Sequence, residues 1–174
     1  MSVSLHHIAL PTYVRGLEAL SAVLDKAAAH AKAHHVDAKT LLQARLRDDM
    51  FPMSRQVQIA CDQAKNALAR LAGVEAPRFE DTETTIDELK ARIAKTVDYL
   101  RSLKAADVDA GASREIIFPI GPAKAKMKGM DYLLHFSLPN FYFHATTAYD
   151  LLRRDGVELG KRDFLGAIPG FSFV

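Results

Sequence analysis

The sequence predicts an all-α fold, a four-helix bundle of antiparallel type, from three observations. Apolar residues recur at helical spacing in four long stretches; cap or stop residues bound the stretches; and the one β-like region is a pair of short runs just before the fourth. At 174 residues the chain can bury one well-formed core, so residues 1–174 are expected to form a single domain. The net charge of +2, with basic residues spread along the chain, argues against a nucleic-acid partner. No run approaches the roughly 20 apolar residues that span a bilayer, so no membrane partner is expected. Cys61 is the single cysteine, which excludes an internal disulfide and a cysteine metal knuckle and suits a reducing compartment. The N-terminus lacks the basic and apolar regions of a secretory signal, and a cytoplasmic location is expected.

The first long helix is expected over residues 4–34, with Leu10, Tyr13, Leu17, Leu20, Leu24 and Ala31 on its apolar stripe. Pro11 is tolerable in a first turn, so the regular helix is expected to begin there. A short helix follows, capped by Asp37. Pro52 then opens the second long helix, whose stripe is Met53, Val57, Ala60, Ala64, Leu68 and Leu71, and Gly73 stops it. Residues 74–84 read as a connecting loop. Thr85 and Glu88 form a capping box for the third helix, whose stripe runs from Ile86 to Leu103 with Lys, Arg and Asp on the far side. Two extended runs around Gly121-Pro122 suggest a hairpin or a longer excursion, with Lys124, Lys126 and Lys128 on a solvated strand face. The fourth helix spans residues 130–155, is interrupted at Pro139 and ends at Gly156. The tail, with Phe164, Phe171 and Phe173, is too apolar to remain in water and is expected to pack on the bundle or on a second subunit.

The fourth helix carries the chemistry-bearing candidates. Residues three and four apart share a helix face, so Phe141, His144, Ala148 and Leu151 form a stripe with His144 inside it. Asn140 and Thr147 are placed one turn to either side, facing the same interior. Gln56 is expected at the core edge with its amide turned inward, and Asp49 reaches the same region only if the turn before Pro52 folds it in. Asp48 and Asp49 also suit the dipole of the second helix. Three roles fit His144: a packing histidine with satisfied nitrogens, a metal-free polar pocket, or a ligand to zinc or nickel, which would want three protein ligands and an open position. His30 and His34 have i, i+4 spacing at the end of the first helix, where a solvated position is the simpler reading. Cys61 has no histidine at an activating spacing and reads as a small packing residue.

Four segments, Asp48-Asp-Met-Phe-Pro-Met-Ser-Arg-Gln56, Leu138-Pro-Asn-Phe-Tyr-Phe-His144, Tyr149-Asp-Leu-Leu-Arg153 and Gly160-Lys-Arg-Asp-Phe-Leu-Gly166, together resemble an uncharacterised domain family of the DinB/YfiT-like metalloenzyme superfamily. The resemblance covers nearly the whole chain. It implies a four-helix bundle in up-down-down-up order, a homodimer, and metal-dependent hydrolase or thiol-transferase chemistry in some members. The superfamily's metal motif is a histidine on the second helix and a His-x-x-x-His pair on the last. The second of that pair precedes a helix-ending glycine by twelve residues, as His144 precedes Gly156, so this ligand position carries over to His144. The first of the pair falls on Asn140, and Gln56, or less readily Asp49, stands in the region of the second-helix histidine. The expectation is therefore a bundle with a small polar pocket of His144, Asn140, Gln56 and Asp49 that binds an unidentified small molecule without a cofactor. The alternatives are a divalent-metal enzyme held by His144 and Asp49, and a structural or stress-related interaction protein.

Overall fold

The structure, a computed structural model, describes residues 4–172. It is predominantly helical with one small sheet: α1 (Leu5–His34), α2 (Ala38–Gln43), α3 (Met53–Ala72), α4 (Ile86–Ser102), α5 (Ala105–Asp109), β1 (Glu115–Ile120), β2 (Ala123–Lys128), α6 (Gly129–Asp131), a π-helical segment (Tyr132–Ser137), α7 (Leu138–Arg154) and α8 (Lys161–Leu165).

α1 starts a full turn and a half before Pro11, contrary to the expectation that the proline marks its beginning. The Ser4 hydroxyl accepts from the His7 amide and supplies the N-cap. Pro11 lies inside the helix but is exposed, so water can replace the hydrogen bond that its ring removes. The predicted stops and caps are otherwise found in place. Gly73, at φ 74°, ends α3 and closes it with hydrogen bonds back to Ala69 and Arg70. Thr85 and Glu88 form the reciprocal capping box of α4.

The fourth helix departs most from its prediction. In place of one kinked helix over residues 130–155, three helical residues lead into six π-helical ones, and α7 follows. Pro139 has no N–H to give, and the wider turn before it lets Leu138 donate instead to Leu133, five residues back. Pro139 then occupies the first turn of α7, where it costs little.

Side-chain pairs fix how the long helices run. From Arg70 with Tyr132, through the Ser137 hydroxyl on the Gln63 carbonyl, to His144 with Gln56, each step forward on the last helix is matched by a step back on α3. These two helices are therefore antiparallel. α1 and α4 are antiparallel by the same reasoning, from Lys90 with Asp25 and Arg101 with Glu18. α1 and α7 advance together, from the buried hydrogen bond of Tyr13 to Ser137 (2.8 Å) to His30 beside Gly156. Between them Phe141 presses its ring on the bare backbone of Gly16 and meets Tyr13 edge-on at 5.1 Å. Each such buried side chain contributes about 1.5–3 kcal/mol of transfer free energy.

The predicted hairpin is present as an antiparallel pair in which Ile117 faces Lys126 and Phe118 faces Ala125. A lone two-stranded ribbon is marginal in water, and this one gains support by burying Ile116 and Phe118. Phe118 lies 4.9 Å from the Tyr132 ring and 4.5 Å from that of Phe136. Lys124, Lys126 and Lys128 are all exposed on the opposite face. The tail turns back onto the helices: α8 packs on α1, and Phe164 meets Tyr149 edge-on at 5.7 Å. Phe173 lies outside the described residues.

The loop over residues 74–84 is more than a connection. Arg92, expected on the solvated face of α4, has a side chain only 2% exposed and binds Asp62 and Asp81 at 3.0 Å and Glu83 at 2.9 Å. It also donates to the Glu80 carbonyl at 3.0 Å. Phe79 inserts among the Lys65 and Lys95 ammonium groups, 4.2 and 4.3 Å from its ring centre, with the Arg92 guanidinium at 5.7 Å. The loop is thus pinned over α3 and α4 by charge, which hydropathy periodicity does not register.

Candidate functional site

Residues 48–56 and 138–153, the two segments singled out by the sequence, adjoin across the α3–α7 interface. At their meeting point His144 Nδ1 lies 2.7 Å from Gln56 Oε1. Gln56 is 1% exposed, and its Nε2 donates to the Phe51 carbonyl at 3.0 Å. That bond fixes the amide: Nε2 is the donor, so Oε1 must accept, and His144 Nδ1 must carry the proton. The ring is therefore the Nδ1–H tautomer, and its Nε2 bears the lone pair.

His144 is half-buried, with the exposed ring of Phe143 edge-on to it at 5.2 Å. Loss of water pushes its pKa down to about 4, and the Arg55 guanidinium adds repulsion against a second positive charge. At neutral pH the imidazole is uncharged and can accept a hydrogen bond at Nε2.

The other candidates do not join this pair. Asn140 donates its amide to the Phe136 carbonyl at 2.9 Å, and Thr147 donates its hydroxyl to the Phe143 carbonyl at 2.7 Å. Both bond four residues back along their own helix, a local option always open to short polar side chains. Facing the interior thus required no partner across it. Asp49 stands on the turn before Pro52 with its side chain 81% exposed, 3.7 Å from Arg47. Neither Asp48 nor Asp49 caps α3, whose N-cap is Pro52 without a side-chain bond.

A metal centre of the superfamily type needs several strong donors around one point. Here the one imidazole lone pair has beside it an amide oxygen already bonded to Nδ1–H, while the amide of Asn140 is turned back on its helix. Among the described residues no three His, Cys, Asp or Glu side chains gather so as to hold an ion. The residues present do not fit that group.

The more voluminous grooves described are not lined by His144, Asn140 or Gln56: one of about 620 Å³ follows α1 beside Gly166 and Pro169, one of about 400 Å³ is bounded by Arg47, Asp48 and Asp49, and one of about 300 Å³ is lined by Lys26, His30, His34 and Glu158. The rings of His30 and His34 lie 4.4 Å apart, tilted by 35°. Cys61 is fully buried and its thiol is pushed up to about 12 by burial, which leaves it unreactive. Sequence reasoning missed the ionic cluster around Arg92, although three acids within residues 80–83 were its available signal.

The helical frame is that of a DinB-like domain. A crystal structure of a DinB family member protein from Shewanella denitrificans matches with a TM-score of 0.90 at 42% identity, covering 97% of this chain and 95% of that one. More narrowly, the chain belongs to the family described as a domain of unknown function, DUF1993, which residues 5–165 match. No curated protein matches it. Among the described residues no helix is long and apolar enough to cross a membrane.

Proposed function

We propose that this protein binds a small molecule through the neutral imidazole of His144, without a metal. The observation that carries this reading is the 2.7 Å contact with Gln56, which commits Nδ1 as a donor and turns Nε2 into an acceptor. The ligand class that suits it has an O–H or N–H donor beside an apolar face, since Phe143 and Phe51 are more than half exposed near this pair. Asn140 and Asp49, bonded elsewhere, are not part of the recognition element. The assembly is a homodimer of up-down-down-up bundles in the cytoplasm. The parallel run of α1 and α7 and the antiparallel runs of α3 with α7 and α1 with α4 support that order; a single buried cysteine suits a reducing compartment.

The second reading is a DinB-type metal-dependent hydrolase or thiol transferase. It is favoured by one feature: a histidine that donates one nitrogen to a carbonyl oxygen and frees the other is oriented as metal-ligating histidines are. A structural or stress-related interaction protein is the third.

Two measurements separate these readings. Elemental analysis of untagged protein purified without chelator, with His144→Ala in parallel, is expected to find no stoichiometric metal; zinc, nickel or iron lost in the variant would establish the second reading. A thermal-shift screen of small donor-bearing compounds is expected to yield binders of the wild type that His144→Ala no longer binds. Binders indifferent to that substitution, or none at all, would overturn the first.

A further inference from the structure

The groove along α1 is the most voluminous of those described, and it lies on the outer face of a helix where solvated charge would be expected. Its floor is instead mostly small or apolar, including Ile8, Pro11, Val14, Ala19 and Ala22, with Arg15 and Glu18 at its centre and the chain after α8 as one wall. Five arginines are not exposed. Arg55, Arg70, Arg92 and Arg114 each bond an acid, a hydroxyl or a carbonyl. Arg15 is half-buried and its guanidinium has no such partner among the described residues. One turn on, Glu18 gives one carboxylate oxygen to Arg101 at 2.7 Å and keeps the other open.

We propose that this groove is where two copies of the chain meet, α1 against α1, about a two-fold axis that passes between the two helices at the level of Gly16 and Leu17. The proposal rests on the homodimer reading above and is independent of the role of His144. A two-fold contact is self-complementary. Antiparallel helices centred there set Arg15 against the partner's Glu18, and Glu18 against the partner's Arg15, so both unpaired cations are matched at once. The same axis sets Pro11 against the partner's Ala22, both of them exposed. Small residues at these crossings allow close interaxial approach. Opposite charges at the centre specify this register over neighbouring ones, because a slip of one turn juxtaposes like charges.

The test is sedimentation velocity over a wide range of protein concentration. Wild type is expected to sediment as a dimer. R15E and E18R should each raise the dissociation constant about tenfold or more by creating two like-charge contacts per interface, and the R15E/E18R exchange should restore most of the loss. Arg101→Ala, which frees Glu18 without entering the groove, controls for the pair with α4 that E18R also breaks. Ala22→Glu, at an exposed position the monomer tolerates, should dissociate the dimer as well. A dimer indifferent to R15E, E18R and A22E overturns this interface alone; a wild type monomeric at all concentrations overturns both the interface and the dimeric reading.

Discussion

Gln56 and His144 meet across 88 residues of sequence at 2.7 Å, and the carbonyl of Phe51 decides which of their atoms carries the proton. Removing the amide leaves two groups unsatisfied, the Nδ1–H and the Phe51 carbonyl. Gln56→Leu is expected to lower stability by roughly 1–3 kcal/mol, read by urea denaturation. In the wild type, nitrogen-15 NMR of the imidazole at neutral pH should show the Nδ1–H tautomer; an Nε2–H ring would remove the basis for an acceptor at Nε2.

The depressed pKa of His144 makes stability pH-dependent in a defined direction. Its folded value, about 4, lies below the unfolded value near 6.5. Between these values the unfolded chain binds the proton that the folded chain refuses, so this group leaves stability unchanged above pH 6.5 and lowers it as pH falls towards 4. The unscreened ceiling is about 3 kcal/mol; the half-buried ring keeps contact with water, so roughly 1–2 kcal/mol is expected. Denaturation curves at stepped pH should show this loss in the wild type and a flatter profile in His144→Gln.

Arg92 holds three carboxylates and a carbonyl while itself nearly excluded from water. Arg92→Leu would remove the cation these acids share while each keeps a second partner, Asp62 with Lys65, Asp81 with Arg55 and Glu83 with Gln58, so a loss of about 1–3 kcal/mol is expected. Hydrogen exchange should report the loss first in residues 74–84, which this cluster ties to α3 and α4. Uniform loss across the chain would mean that the loop is held by packing instead.

Gly111 and Gly129 lie where backbones nearly touch. A Cβ on Gly129 would fall 1.9 Å from the Gly111 carbonyl oxygen, and one on Gly111 would fall 2.2 Å from that of Leu71. Gly121, at the hairpin turn, has nothing within 4 Å and only its φ of 54° to restrict it. Gly129→Ala is therefore expected to cost more than about 2 kcal/mol, against roughly 1 kcal/mol for Gly121→Ala. Comparing their thermal midpoints checks the order.

The elements legible in the chain were those specified by neighbours in sequence. The stripes of α1, α3 and α4, the Thr85–Glu88 box, the Gly73 stop and the hairpin around Gly121 each follow from residues within a turn or two. Local periodicity was ambiguous for polar residues on the inner face of α7, since it cannot say whether a side chain bonds across the interface or back along its helix. Asn140 and Thr147 took the local carbonyl; His144 alone found Gln56.

The sequence by itself determined the helical class and the position of the long helices, because hydrophobic period and capping act at short range. Only the tertiary structure decided that α1 starts at Leu5, six residues before Pro11, that a π turn absorbs Pro139, that Arg92 is buried among acids and that His144 keeps a neutral ring with its proton on Nδ1. The reason is physical: whether a charge is solvated or paired, and which nitrogen holds a proton, depends on groups brought together from distant parts of the chain and on the water they exclude.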